Sequence, residues 1–240
     1  MKTEINERIE DLQCNGLKII QNKNLYTFTS DSVILANFIR LKKEDKCAEI
    51  GTGCGVISIL LSAKTKFKEI YAFELQKEMF DLADKNVKYN KLENKIKLIN
   101  DDIKNFKKYV GKNSLDVVFS NPPYMNEKSL NTNEVKTIAR HDKYLSVDDL
   151  CKTTYHMLKE GGKFYVVYSA SRSAELIYTL IKNKLEPKRM FFTENGKGKT
   201  ILIVVEAVKG GKHNVEVLPN LVTNDLNGKY IEILHTKYTK

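Results

Sequence analysis

Asn121-Pro122-Pro123-Tyr124 closes an apolar run over 115–120 that reads as a strand. Two successive prolines hold φ at about −65° and have no N–H to donate. The chain must therefore leave the strand as a rigid corner rich in acceptors. The side-chain carbonyl of Asn121 and the main-chain carbonyl of Pro122 can each take one N–H from a flat amine, favouring a geometry that frees a lone pair otherwise delocalised into the ring. Tyr124 can stack on that ring, a contact of roughly 1–3 kcal/mol per base. The rest of the chemistry is alignment, which contributes about 7–11 kcal/mol, and no strong general base is evident. Taken alone, N-P-P-Y also reads as a plain strand-ending turn.

A second constellation lies upstream. Glu49-Ile50-Gly51-Thr52-Gly53-Cys54-Gly55 stands between a strand and a helix, where glycines allow positive φ and close approach of a ligand to the backbone. The spacing is G-x-G-x-G, which fits neither the dinucleotide fingerprint nor a P-loop, and no lysine follows to grip a phosphate. Glu74 ends the next strand, 19 residues after Gly55, where a carboxylate can accept both hydroxyls of a ribose. Asp101-Asp102 follow the third strand and can meet an adenine's exocyclic amine. Singly, these read equally as a ligand-free turn, surface acids or helix caps. In register at the carboxyl ends of successive strands, they form the usual ligand crevice of an open α/β sheet.

The elements that must position these groups follow from periodicity. Strands are predicted over 47–50, 69–75, 96–99, 115–120, 164–168, 190–193 and 201–208, and helices over 56–63, 76–90, 147–158 and 174–184. Met79, Leu82, Ala83 and Val87 carry helical spacing, and Gly161-Gly162 is read as the stop of the helix over 147–158. The alternation predicts an α/β fold with a mostly parallel sheet covered on both faces. The last two strands, joined by a turn over 195–199, form an antiparallel hairpin. A single domain is expected, with an approach segment (1–45), a core (46–208) and a C-terminal extension (209–240).

Of 240 residues, 40 are Lys or Arg against 30 Asp or Glu, a net charge of +10. Such a surface suits a polyanionic partner, although 35 of the 40 are lysine and a genomic codon bias accounts for part of that. Residues 182–212 hold eight basic and three acidic side chains, whereas 1–26 balance at four and four. The plain alternative is a solvated lysine-rich edge. Cys14, Cys47, Cys54 and Cys151 are scattered, against a zinc site or disulfide scaffold and in keeping with a reducing cytosol. No apolar run approaches the roughly 20 residues that span a bilayer, and the N-terminus lacks the apolar core of a signal peptide. A cytoplasmic location is expected, with no membrane association.

The E-I-G-T-G-C-G loop, the F-E-L strand end and D-D-I resemble the cofactor motifs of class I S-adenosylmethionine-dependent methyltransferases, which have a Rossmann-like, seven-stranded sheet with a reversed edge hairpin. N-P-P-Y resembles the motif of amino-methyltransferases acting on adenine N6, guanine N2 or glutamine. It is unlike cytosine C5 chemistry, which needs a nucleophilic cysteine; Cys54 reads as a small apolar filler. The segment Phe28-Thr29-Ser30-Asp31-Ser32-Val33-Ile34-Leu35-Ala36 is similar to the approach segment of bacterial tRNA1(Val) (adenine(37)-N6)-methyltransferases. So are Ile138-Ala139-Arg140-His141, residues 145–150, Lys184-Leu185-Glu186-Pro187-Lys188-Arg189, the G-K-G-K-T turn and Val217-Leu218-Pro219. The likeness runs from about Asn6 to Tyr238. Release-factor glutamine methyltransferases carry a sizeable helical domain before the glycine loop, and only 48 residues precede Glu49 here.

The resemblance implies S-adenosylmethionine as cofactor, held by Ser30, Asp31, Glu49, Gly51, Thr52, Gly53, Gly55, Glu74, Leu75, Asp101, Asp102, Ile103 and Asn121. Asp102 is the closer match of the two aspartates. It implies Asn121, Pro122, Pro123 and Tyr124 as the catalytic corner and the N6 amine of adenine 37, in the anticodon loop of a valine tRNA, as acceptor. Such a base is already single-stranded and costs less to present than one in a duplex. Arg140, Lys188, Arg189, Lys197 and Lys199 would meet the RNA; Arg140 reads equally as a structural ion pair. No metal is implied. Adenine N6 or guanine N2 on rRNA or DNA, protein glutamine, and a non-catalytic RNA-binding module stay open as alternatives.

Overall fold

The computed structural model describes residues 6–123 and 145–224. It begins with an antiparallel hairpin of β1 (Glu7–Asp11) and β2 (Lys18–Asn22), followed by α1 (Ser30–Phe38). Three βα units come next: β3 (Lys46–Ile50) with α2 (Val56–Lys64), β4 (Glu69–Phe73) with α3 (Lys77–Tyr89), and β5 (Ile96–Ile99) with a 3-10 turn at Ile103–Lys108. Then follow β6 (Leu115–Ser120), α4 (Val147–Met157), β7 (Leu158–Ser169), α5 (Ser173–Lys182), β8 (Leu185–Glu194) and β9 (Thr200–Lys209). The short strands β10 (Glu216–Val217) and β11 (Leu221–Val222) end the described chain.

The main sheet runs β5-β4-β3-β6-β7-β9-β8. Pairing is parallel from β5 to β7 and antiparallel on both sides of β9. These are the seven expected strands, and β10 and β11 add short parallel pairings along β8, so the C-terminal extension widens the sheet. Because side chains alternate across a strand, Val117, Phe119, Tyr165 and Val204 enter one apolar layer and Val118, Phe164, Val166 and Val205 the other. The hairpin and α1, α2 and α3 cover the first layer; α4, α5 and the 3-10 turn cover the second. Continuous apolar strands buried on both faces are what a parallel sheet demands.

One expectation needs correction. Gly161-Gly162 does not stop α4, which ends at Met157; Leu158 is already extended and opens β7. The glycines lie inside β7, where pairing jumps from Leu115↔Leu158 to Val117↔Lys163. Gly161 has φ +74°, so it bulges the strand rather than capping a helix. Within the N-terminal approach segment, the β1–β2 hairpin docks on α3. Ile20 N–H donates to Asn86 Oδ1 at 2.6 Å, and Asn86 Nδ2 donates to the carbonyls of Ile20 at 3.0 Å and Cys54 at 2.9 Å.

Candidate active site

The carboxyl ends of β3 and β6 lie side by side, since Ile50 pairs with Ser120, and the chain departs from them in different directions. Beyond β3, the loop turns back on β4: the N–H groups of Gly51 and Thr52 both donate to the Phe73 carbonyl, at 3.0 and 2.9 Å. Gly51 has φ +71°, a conformation that side chains avoid. A Cβ there would meet nothing within 4 Å, so the loop is bare on the side that a ligand would approach. Gly55, at φ +86°, caps α2, and a Cβ there would meet Ile59 and Ala83 within 4 Å.

This loop forms one wall of an open cleft of about 310 Å³, lined by Tyr26, Phe28, Ser32, Glu49, Thr52 and Asn121 together with Gly51, Gly53 and the start of α2. Glu49 is 1% exposed. Its Oε2 accepts from Thr52 Oγ1 at 2.7 Å and from Ser58 Oγ, while Oε1 has no hydrogen-bond partner. Burial pushes its carboxyl up to about 7 against the pull of those hydroxyls. A buried acceptor left over at a cleft wall suits a cationic donor from a ligand, which would supply the missing partner. Cys54 lines the same cleft, and burial lifts its thiol to about 12, which leaves it unreactive.

Asn121 lines the same cleft at the end of β6, and its Nδ2 donates to Ser32 Oγ at 3.1 Å. Pro122 is buried and Pro123 half-buried behind it. Tyr124, Arg140 and His141 lie outside the described residues. The structure thus brings Glu49, Gly51, Thr52, Gly53 and Asn121 to one cleft. It also brings in Tyr26, Phe28, Ser32, Val56 and Ile57, which were not singled out as site residues in the sequence. Phe28 and Ser32 belong to the approach segment; α1 also carries Ser30, Asp31 and Asn37, so nothing in its sequence singles out Ser32.

The remaining sequence-predicted residues sit along the same sheet end. Glu74 is buried, and its two oxygens accept from Gly53 N–H at 2.8 Å and Gln76 N–H at 2.9 Å, so it clasps the glycine loop to the end of β4. Burial raises its carboxyl. Leu75 is 42% exposed beside it. Asp101 is committed to the protein: hydrogen bonds from Asn105 and Tyr109 hold it down to about 2, with Lys108 and the Asp102 N–H adding to them. Asp102 gives one oxygen to the Lys104 N–H as cap of the 3-10 turn. Ile103 turns its side chain into the core, leaving only its backbone for a ligand. Ser30 Oγ donates to Asp31 Oδ1 at 3.3 Å at the start of α1.

Strand direction sorts the basic residues. Two antiparallel pairings in succession make β8 run with β6, so the turn between β8 and β9 stands at the same sheet end as Asn121. Lys197 and Lys199 are exposed on that turn. Lys188 lies in the other half of β8 and donates to the Lys212 carbonyl at 2.9 Å. Arg189 is drawn into the sheet's own packing: it pairs with buried Glu206 at 3.1 Å and lies 4.9 Å over the Phe38 ring. Its side chain is 17% exposed, and Glu206 also holds Lys163 at 2.9 Å. Among the described residues, no helix is long and apolar enough to cross a membrane.

The methyltransferase small domain family matches residues 27–196. A tRNA1(Val) (adenine(37)-N6)-methyltransferase of Dyadobacter fermentans is 26% identical over 219 residues, covering 88% of this chain and 90% of that protein. Among solved structures, a predicted O-methyltransferase from Agrobacterium tumefaciens superposes with TM-score 0.68 at 15% identity, over 85% of this chain and 95% of that one. TYW2 of M. jannaschii, solved in complex with AdoMet, superposes with TM-score 0.59 at 17% identity, over 87% and 88%. At those identities the two structures speak to the fold alone. With its glycine crevice and its match across most of the chain, the protein belongs to the methyltransferase small domain family and is a methyltransferase.

Proposed function

We propose that this enzyme moves the methyl group of S-adenosylmethionine to the N6 amine of an adenine in tRNA, and that the adenine is position 37 in the anticodon loop of tRNA1(Val). The observation that carries the reading is that Asn121 and the Gly51–Gly53 loop line one cleft. The Dyadobacter fermentans relative, which spans nearly the same length, supports the substrate.

The cofactor supplies an electrophilic methyl group on a sulfonium. The residues present fit it. The bare backbone at Gly51 admits a ligand, Glu49 Oε1 offers a buried acceptor for its ammonium, and Asp102 stands over the end of β5 for its adenine. Glu74 keeps the loop in shape through Gly53, and each of its oxygens retains a lone pair for a ribose hydroxyl. On the acceptor side, Asn121 Oδ1 and the Pro122 carbonyl take the two N–H bonds of the amine. Holding both N–H bonds in acceptors would free the lone pair from the ring for attack on the methyl group, the sulfonium departing as a thioether and the surplus amine proton passing to solvent. That alignment, rather than proton abstraction, is the work of this corner.

The test uses a tRNA1(Val) transcript and labelled S-adenosylmethionine, followed by digestion to nucleosides. Label in N6-methyladenosine, and its disappearance from a transcript with guanine at position 37, is the expected result. Label that persists in that transcript refutes the choice of base, and label in no adenine refutes the reaction.

A further inference from the structure

Ser32 sits in the first turn of α1, 5% exposed, on the wall of the cleft. A serine in a helix usually turns its hydroxyl to a backbone carbonyl one turn back. Here the hydroxyl oxygen instead receives the Asn121 Nδ2–H group at 3.1 Å, from a residue 89 positions away. The backbone on either side is fixed. Ser32 N–H is bonded to the Thr29 carbonyl at 3.2 Å, and Asn121 is followed by two prolines. What stays free is the rotation of the Asn121 carboxamide, which can present either an oxygen or an NH2 to the cleft.

We infer that Ser32 is a positioning residue for methyl transfer: by taking the Asn121 N–H it keeps Oδ1, and not NH2, turned toward the incoming amine. This rests on the proposed function above. With the NH2 outward, two donors would oppose one another and the amine could not bind in line. In this role Ser32 acts through Asn121 rather than directly on the methyl donor or acceptor. Its removal should therefore act on the rate of transfer and leave cofactor binding alone. A hydroxyl is what the role requires, so threonine should serve and alanine should not.

The test compares wild type, Ser32→Ala and Ser32→Thr in single-turnover transfer to the tRNA transcript, in S-adenosylmethionine affinity and in Tm. In parallel, the Asn121 side-chain amide is followed by NMR in protein labelled with 15N-asparagine, its signal assigned by its absence from Asn121→Ala. Ser32→Ala is expected to slow transfer about tenfold, the loss of one hydrogen bond, with Kd unchanged, Tm lowered by no more than one hydrogen bond costs, and faster exchange of the Asn121 amide protons. Ser32→Thr is expected to stay within about threefold of wild type, well inside the cost of a lost hydrogen bond. The inference is overturned by an undiminished rate in Ser32→Ala, by S-adenosylmethionine affinity collapsing in step with the rate, or by an Asn121 amide signal indifferent to that substitution. If wild type methylates no adenine, the proposed reaction is what has failed, and the amide signal still decides whether Ser32 sets the carboxamide.

Discussion

If Asn121 holds the acceptor amine as proposed, its function rests on one carbonyl oxygen. Replacing the side chain with alanine removes an acceptor used only as the amine is brought into line, and preorganised groups of this kind contribute about 100- to 1,000-fold in kcat. Asn121→Ala should show that loss while calorimetry finds S-adenosylmethionine affinity little changed; affinity that collapses alongside would give the residue a different role. Glu49 makes a separate prediction through pH. Its carboxyl lies at about 7 in the folded protein and at an ordinary value of 4.5 when solvated. Between those values the folded state keeps a proton that the unfolded chain has released, so this residue's contribution to stability is lost as pH rises through that window. Above it the full cost, roughly 3 kcal/mol, is carried. Glu49→Gln should raise Tm at pH 8 and hardly at pH 5, while weakening the cofactor. An equal rise at both values would contradict the assignment. Asn121, Gly51 and Glu49 were legible in the sequence because each sits a fixed few residues from a strand end. Ser32 was not, because its meaning comes from a partner 89 residues away. Nor did spacing alone separate Asp101 from Asp102; in the structure Asp101 is held by Asn105 and Tyr109, whereas Asp102 caps the 3-10 turn.

Among the elements, those built on a clear period were the readable ones. The amphipathic pattern of α3 and the apolar strands β3 to β6 follow from side-chain alternation, and their bounds shift by at most two residues from the expected ones. The β1–β2 hairpin follows no such rule. Glu7–Asp11 is mostly charged, and the hairpin's order comes from docking on α3 rather than from its own propensity. Asn86 and Asn90 there act as substitute peptide groups, Asn90 exchanging hydrogen bonds with Lys18 N–H and carbonyl at 3.0 and 2.7 Å. Gly161-Gly162 misled for a related reason: a helix stop and a strand bulge both call for positive φ, and only pairing with β6 tells them apart. The true end of α4 is met by buried Lys209, whose Nζ donates to the carbonyls of Tyr155 and Leu158 at 2.8 and 2.9 Å. Asn86 reaches further, since its bond to the Cys54 carbonyl ties the hairpin to the glycine loop. Asn86→Ala strands three backbone groups and should cost about 2–4 kcal/mol in urea denaturation. It should also weaken S-adenosylmethionine binding. A destabilised variant with unaltered cofactor affinity would show that the hairpin and the loop are independent.

Across the whole molecule, the direction of the sheet decides what the net charge of +10 can do. The basic stretch over 182–212 looks continuous in sequence, but β8 and β9 carry it up one side of the sheet and back. Leu185 pairs with Lys209 at one end and Glu194 with Thr200 at the other, roughly 30 Å apart for strands of this length. Lys197 and Lys199 therefore share an end with Asn121, whereas Lys184, Lys209 and Lys212 stand at the opposite one. Arg189, between them, is held by Glu206. An RNA whose base enters the cleft would pass its backbone near the first pair and away from the second group. Lys197→Glu with Lys199→Glu should weaken tRNA binding and flatten its dependence on salt by about 0.7 in log–log slope for each phosphate contact removed. Lys184→Glu with Lys188→Glu changes net charge equally and should do much less. Matching losses from the two pairs would mean that the RNA responds to overall charge and that the sheet's polarity does not direct it.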